Sequence, residues 1–188
     1  MDILEVYLLK QHFDIIECSG VLHHMNNPEK GLKQLLDILK PNGFFKLGLY
    51  SELAREEIVK AKAYISKNNL SSDEHSIRSF RDDIFSNKYD QIKNLKNWGN
   101  LYSMSECRDL CFHIQEHRFT IDQIKETLHR HQLNFLGFLL SSQIKSLYNN
   151  YFPKDLKQIN LDNWKRFEEK HPDTFRGMYQ FWMCKMTS

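Results

Sequence analysis

The stretch FDIIECSGVLHH, residues 13–24, decides how this chain folds. The apolar run at its start predicts a buried strand. Behind it, Asn27 can cap a helix, Pro28 suits the first helical position, and leucines recur at helical spacing as far as Leu39. Residues 40–43 break that pattern, and Phe44 to Tyr50 predicts a second buried strand. A strand–helix–strand unit of about thirty residues is typical of a parallel, right-handed crossover.

Polar residues follow both predicted strands where each strand ends. In open parallel sheets, ligands bind outside the carboxyl ends of the strands. The carboxyl end of the first strand, predicted over residues 13–24, carries Ser19, Gly20, His23 and His24, and the carboxyl end of the second carries Tyr50 and Ser51. The sequence therefore places its candidate chemistry at this edge.

The motifs of this region resemble those of a known family. The run FDII-x3-GVLHH, then P-x2-GL at residues 28–32 and LKPNGFF at residues 39–45, is similar to the later half of class I S-adenosylmethionine-dependent methyltransferases. LYSELAR at 49–55, SECRDL at 105–110 and GMYQFW at 177–182 resemble bacterial methyltransferase domains found beside tetratricopeptide repeats. The resemblance implies an α/β fold: a partial Rossmann-like sheet of the later strands, with a helical lid insertion at about residues 51–118. Further along the chain, capping boxes predict helices that begin after Ser71, Ser103 and Thr120, and Asn160 caps a predicted helix over residues 161–170. Residues 88–96 and 142–151 are also predicted as helices, and residues 133–140 and 178–186 as two more strands.

The family's glycine-rich cofactor loop has no counterpart among these 188 residues. None of the seven glycines lies within two residues of another, whereas the loop reads Gly-x-Gly-x-Gly. The first residues resemble the end of the family's third strand, so we expect residues 1–188 to be the C-terminal portion of a methyltransferase domain. The resemblance implies S-adenosyl-L-methionine as cofactor, with Asp2 near the adenine and with Cys18, Ser19 and Gly20 beside its middle. Cys18 alone is equally typical of a small buried apolar residue.

The histidine pair is the first candidate for catalysis. On a continued strand, His23 and His24 point to opposite faces. An imidazole can take a proton from a nucleophile that is about to be methylated. The alternative is that one or both side chains hold the loop by hydrogen bonds.

A second cluster is predicted on a helix from Cys107 to His117. On a helical wheel, Asp109, His113 and Glu116 fall within about 60° of one another, which favours an acid–base or substrate-binding cluster on the lid. The alternative is a solvated, charged helix face. On the same wheel, Cys107 and Cys111 point away from the two histidines of the segment, so no zinc site is expected.

Three arginines are candidates for substrate binding. Arg78 and Arg81 lie three residues apart on a predicted helix, and Arg55 follows the second strand. Guanidinium groups aimed at a pocket suit a carboxylate or phosphate group. For each arginine alone, an ion-paired surface position is the simpler interpretation.

The composition favours an ordinary folded domain. The net charge of +2 shows no strong electrostatic partner, and lysines and arginines alternate with acidic residues, so neither nucleic acid nor membrane is expected as a partner. Four cysteines without a disulfide spacing indicate a reducing, cytoplasmic setting. Two alternatives to a methyltransferase fragment stay open: a non-catalytic binding or lid module that needs a partner for the missing half, and a truncated product. We expect the unpaired inner edge of the sheet to favour self-association.

Overall fold

The computed structural model describes residues 2–113 and 116–185, which form two compact units. Of the described residues, one unit comprises 2–54 and 116–185, and the other 55–113. Within these ranges the strands are β1 (Phe13–Ser19), β2 (Leu39–Leu49), β3 (Leu133–Phe138) and β4 (Tyr179–Lys185). The α-helices are α1 (Pro28–Asp37), α2 (Glu56–Lys67), α3 (Glu74–Phe85), α4 (Met104–Cys107), α5 (Ile121–Arg130), α6 (Ser142–Tyr151) and α7 (Leu161–Lys170). Among the described residues, no helix is both long and apolar enough to cross a bilayer.

The first unit is built on one four-stranded sheet in the order β1-β2-β4-β3. β1 and β2 are parallel, with Ser19 opposite Gly48, and α1 connects them as predicted. β4 runs antiparallel to both of its neighbours. The predicted α/β fold with a partial Rossmann-like sheet is confirmed.

Local signals set the ends of the helices in this unit. The Asn27 side chain accepts a hydrogen bond from the backbone N–H of Lys30, and Pro28 is the first residue of α1. Thr120 and Gln123 form a reciprocal capping box at the start of α5. The buried leucines of α1 and the buried isoleucines and leucine of α5 join the hydrophobic core of this unit, where their burial stabilises it.

Two predicted boundaries in this unit are wrong. The first strand ends at Ser19 rather than continuing to His24, because Gly20 has a positive φ of 77° and turns the chain. Residues Leu22–His24 then form a 3-10 turn. The second strand begins at Leu39 rather than Phe44, and the expected break at residues 40–43 is an irregularity within the strand around Asn42, whose φ is 60°.

The second unit is helical and has its own core. Asp73 caps α3 by accepting from the Ser76 N–H, whereas the sequence suggested a capping box from Ser71. The helix expected at residues 88–96 is a 3-10 helix, Lys93–Asn97. The buried side chains of this unit are mostly aliphatic and aromatic, among them Ile58, Ile77, Phe80, Ile84 and Leu95.

Candidate active site

The carboxyl ends of β1 and β2 meet at one edge of the sheet. Gly48 is needed there, because a Cβ atom would come within 2.8 Å of the Met178 sulfur and 2.9 Å of the Ser19 hydroxyl. The missing side chain lets both neighbours close on β2. The Ser19 hydroxyl is buried and has no hydrogen-bond partner among the described residues. Ser19 and Gly20 therefore present a polar atom and an open backbone turn at this edge.

The histidine pair forms an aromatic cluster with Tyr50. The ring centroids of His23 and Tyr50 lie 3.8 Å apart in a stacked arrangement, and the His24 ring meets His23 edge-on at 4.4 Å. The prediction that the two imidazoles point to opposite faces of a strand is wrong, because they lie in a 3-10 turn beyond its end. His23 is fully buried, whereas His24 is half-buried.

An extended segment, residues 116–120, runs along this edge. The N–H of His117 donates to the His23 carbonyl at 2.7 Å, and the N–H of Phe119 donates to the Tyr50 carbonyl at 2.8 Å. Ser51 pairs with Phe119 as an isolated parallel bridge. The segment thus joins the turn after β1 to the end of β2 through backbone hydrogen bonds.

Among the residues that the family resemblance assigns to the cofactor, Ser19 and Gly20 lie at the carboxyl end of β1. Asp2 is exposed, and its side chain accepts a hydrogen bond from the Leu4 N–H at 3.0 Å at the start of a 3-10 helix. Cys18 is buried in the core of the sheet, where burial raises the pKa of its thiol. Its environment is that of a small apolar core residue.

The helix expected from Cys107 to His117 is much shorter than predicted. The α4 turn continues into a π-helical turn, Arg108–Phe112, and the backbone at His113 is extended, with ψ at 127°. Asp109, His113 and Glu116 therefore do not share one helical face, and the helical-wheel argument for their cluster is wrong. Asp109 and His113 are exposed, whereas the Glu116 side chain is 2% exposed and lies 3.9 Å from the Arg118 guanidinium.

The three candidate arginines all lie in the helical unit but in different settings. Arg78 is exposed and pairs with Glu74 one turn away on α3. Arg81 donates to the Tyr102 carbonyl at 3.0 Å and lies over the ring of Phe85. Arg55 precedes α2 and is only 2% exposed, which is unusual for an arginine.

The two cysteines of the shortened helix are core residues, as predicted. Cys107 and Cys111 are both buried in the helical unit. The hydrogen bond that the Cys111 thiol donates to Cys107, together with burial, raises the pKa of Cys111 well above its ordinary value. Within the described ranges, no group of three or more His, Cys, Asp or Glu side chains is arranged to hold a metal ion.

Sequence reasoning missed a buried polar cluster at the same edge. Ser51, Glu168 and Tyr179 are all buried, and both hydroxyls donate to the Glu168 carboxylate. Ser51 and Glu168 are separated by 117 residues. The only local signal was the polar Ser51 directly after a buried strand, and nothing in the sequence linked it to α7.

Comparisons with known proteins agree with this architecture. Residues 1–47 match a family model described as a methyltransferase domain. An uncharacterized protein of Synechococcus sp. is 28% identical over 145 residues, which cover 73% of this chain and 35% of that protein.

Two solved structures share the fold. The structure of PKMT2 from Rickettsia typhi matches with a TM-score of 0.74 at 14% identity, and PKMT2 in complex with AdoHcy matches with a TM-score of 0.64 at 15% identity. Each match covers 99% of this chain and 38% of the other. This chain therefore spans little more than a third of the length of the proteins it matches. The resemblance to a methyltransferase domain is confirmed for residues 1–47 by the family match, and the solved structures share the fold of the chain. The resemblance to domains found beside tetratricopeptide repeats stays a prediction.

Proposed function

We propose that this chain is the later portion of a class I S-adenosylmethionine-dependent methyltransferase that methylates an oxygen or nitrogen nucleophile. The observation that carries the proposal is the sheet order β1-β2-β4-β3, with β1 and β2 parallel, joined to the methyltransferase-domain match over residues 1–47. The AdoHcy complex of PKMT2, which has the same fold, supports the choice of cofactor.

The end of β1 fits one side of such a cofactor. The buried Ser19 hydroxyl can donate to a ligand, and the turn at Gly20 leaves the backbone open to close approach. The second carboxylate oxygen of Asp2 can accept from an adenine amino group, since the first already accepts from Leu4. Because no glycine-rich loop is present in these 188 residues, we propose that the methionine end is held by residues outside them.

The two histidines have different proposed roles, orientation for His23 and proton transfer for His24. S-adenosylmethionine supplies an electrophilic methyl group on a sulfonium centre. His23 is buried and stacked on Tyr50, so it fixes the position of its neighbour. His24 is half-buried, and we propose that it takes up the proton that the methyl acceptor loses.

The methyl acceptor is a small molecule or a protein. Arg55, Arg78 and Arg81 remain candidates for binding an acidic group of that acceptor, and Asp109, His113 and Glu116 remain candidates for acid–base or binding roles. No concentrated basic face argues for nucleic acid. The described cysteines are free thiols, three of them buried, which fits a cytoplasmic setting.

A second candidate function is a module that acts only with a partner. Within the part of the chain that the structure describes, β1 pairs on one side alone, with β2. Ile15 on this edge strand is an exposed large apolar side chain, and others precede or follow the strand in the sequence: Leu4, Tyr7, Leu8, Leu9 and Val21. Parallel strands are normally covered on both faces and continued at their edges, so this surface suits a further strand from another polypeptide or from a second copy.

The DNA upstream of the Met1 codon separates the two candidates. An in-frame Gly-x-Gly-x-Gly stretch within a strand–loop–helix pattern favours the enzyme, and an in-frame stop codon directly before Met1 favours the partner-dependent module.

Binding to the longer polypeptide then tests the cofactor. Ser19→Ala should weaken S-adenosylhomocysteine binding about threefold to tenfold, because one hydrogen bond is lost. Ser105→Ala, at an exposed position of the helical unit, is the matched control. Equal affinity for both variants would remove Ser19 from the cofactor site.

A further inference from the structure

The edge of the sheet that carries the histidine pair also contains a buried carboxylate to which the resemblance assigns no role. Glu168 on α7 is 5% exposed, and its two hydroxyl partners, Ser51 and Tyr179, are fully buried. Carboxylates are rarely buried unless their partners are arranged to receive them. This cluster is therefore a built feature of the sheet edge.

Both hydroxyl groups of the cluster donate hydrogen bonds to the Glu168 carboxylate. The Ser51 Oγ donates to Glu168 Oε1 at 2.6 Å, and the Tyr179 hydroxyl lies 2.7 Å from both carboxylate oxygens. The Ser51 Oγ also accepts from the Ala54 N–H at 3.0 Å. Ser51 is thereby fixed from both sides, by α7 and by the turn that follows it.

Ser51 is the link between this cluster and the aromatic site. It directly follows Tyr50, whose ring stacks on His23, and it pairs with Phe119 in the segment that also binds the His23 carbonyl. Any change that releases the Ser51 side chain loosens the backbone on which the Tyr50 ring is carried. The path from α7 to the histidine pair is therefore short. Glu168 accepts a hydrogen bond from Ser51, Ser51 is covalently joined to Tyr50, and the Tyr50 ring stacks on His23.

We propose that Glu168 is a positioning residue, which holds Ser51 and through it the stack of the Tyr50 ring on His23. The functional role of that stack rests on the proposed methyl transfer, whereas the contacts that hold the stack in place are independent of it. A cluster that only stabilised the unit would contribute to the free energy of unfolding without setting the geometry of the rings. A positioning role therefore predicts that the surroundings of the His23 ring change in a variant that still folds, whereas a purely stabilising role predicts that they do not.

The experiment is nuclear magnetic resonance of the His23 ring protons in the 188-residue chain with labelled histidines. His23→Gln assigns the signals, and Tyr50→Leu gives their positions without the stacked ring. In folded Glu168→Gln and Ser51→Ala, the His23 signals should move toward those of Tyr50→Leu. Glu169→Gln, an exposed neighbour on the same helix, should leave them in place.

The proposal is wrong if the His23 signals of Ser51→Ala coincide with those of the wild type. Ser51→Ala carries the test if Glu168→Gln does not fold, because it removes the link between α7 and Tyr50, together with the hydrogen bond that the Ala54 N–H donates to Ser51. The measurement needs neither cofactor nor acceptor. Failure of the proposed methyl transfer would therefore leave this result standing, and the reverse also holds.

Discussion

The imidazole of His23 stacks on the phenol ring of Tyr50, with ring centroids 3.8 Å apart and ring planes inclined by 29°. The two residues follow different strands, β1 and β2, and they meet only because those strands are parallel neighbours. The stack is thus a direct product of the crossover that residues 13–50 encode.

Removing the Tyr50 ring should lower the free energy of unfolding of the protein. Aromatic pairs contribute about 0.5–1.5 kcal/mol beyond the area that they bury. We expect Tyr50→Leu to unfold at a free energy lower than that of Tyr50→Phe by about this amount, measured by urea denaturation. Equal values for the two variants would mean that the stack contributes nothing to folding.

The helix starts show how much the sequence determined by itself. Asn27, Thr120, Ser141 and Asn160 each cap the helix that follows them, and such caps depend only on residues within one turn. The helix starts at Pro28, Ile121, Ser142 and Leu161 were therefore predicted correctly.

Thr120 offers a direct check of this local control. Thr120→Ala should lower the free energy of unfolding by about 0.5–2 kcal/mol, because the N–H of Gln123 loses its side-chain acceptor. Thr120→Ser keeps the hydroxyl and should retain most of that stability in the same urea titration. A Thr120→Ala protein as stable as Thr120→Ser would show that the box is dispensable.

The errors of prediction came from contacts that are distant in the sequence. The helix predicted as far as His117 ends at Phe112, and His117 and Phe119 instead bond to the backbone of His23 and Tyr50. A helical wheel cannot anticipate a segment whose hydrogen bonds lie about 70–90 residues away along the chain. The Glu168 cluster was missed for the same reason.

Glu168 should give the protein a characteristic dependence of stability on pH. Burial raises its pKa above 4.5, and the hydrogen bonds from Ser51 and Tyr179 oppose this shift. The folded chain therefore holds the Glu168 proton more tightly than the unfolded chain. The stabilising contribution is fully present below pH 4.5 and is lost as the pH rises through the folded value.

Urea titrations between about pH 4 and pH 7 can isolate this contribution. The free energy of unfolding of the wild type, less that of Glu168→Gln, should fall as the pH rises. A wild type that gained stability over Glu168→Gln with rising pH would show that the hydrogen bonds outweigh burial and that the pKa is lowered.

The free edge of β1 should make the chain associate with itself at high concentration. Ile15 on that strand is 60% exposed, and a charge there both blocks apolar contact and discourages edge pairing. Sedimentation should show a larger monomer fraction for Ile15→Lys than for the wild type. Leu156→Lys, at a position that is 89% exposed and outside the sheet, should behave as the wild type. A wild type that stays monomeric at every concentration would remove the second copy as an occupant of this edge.

Titration of the labelled 188-residue chain with S-adenosylmethionine tests the central claim most directly, by calorimetry and by mapping amide signals. Each hydrogen bond to a charged group that the absent loop would make is worth about 1.5–3 kcal/mol. Two or three such losses weaken binding by several orders of magnitude. We expect a dissociation constant far above micromolar. The amide signals of Ser19 and Gly20 should shift and saturate at millimolar concentrations of S-adenosylmethionine. Micromolar affinity would contradict this expectation. So would amide signals of residues 18–24 that stay unchanged at millimolar S-adenosylmethionine.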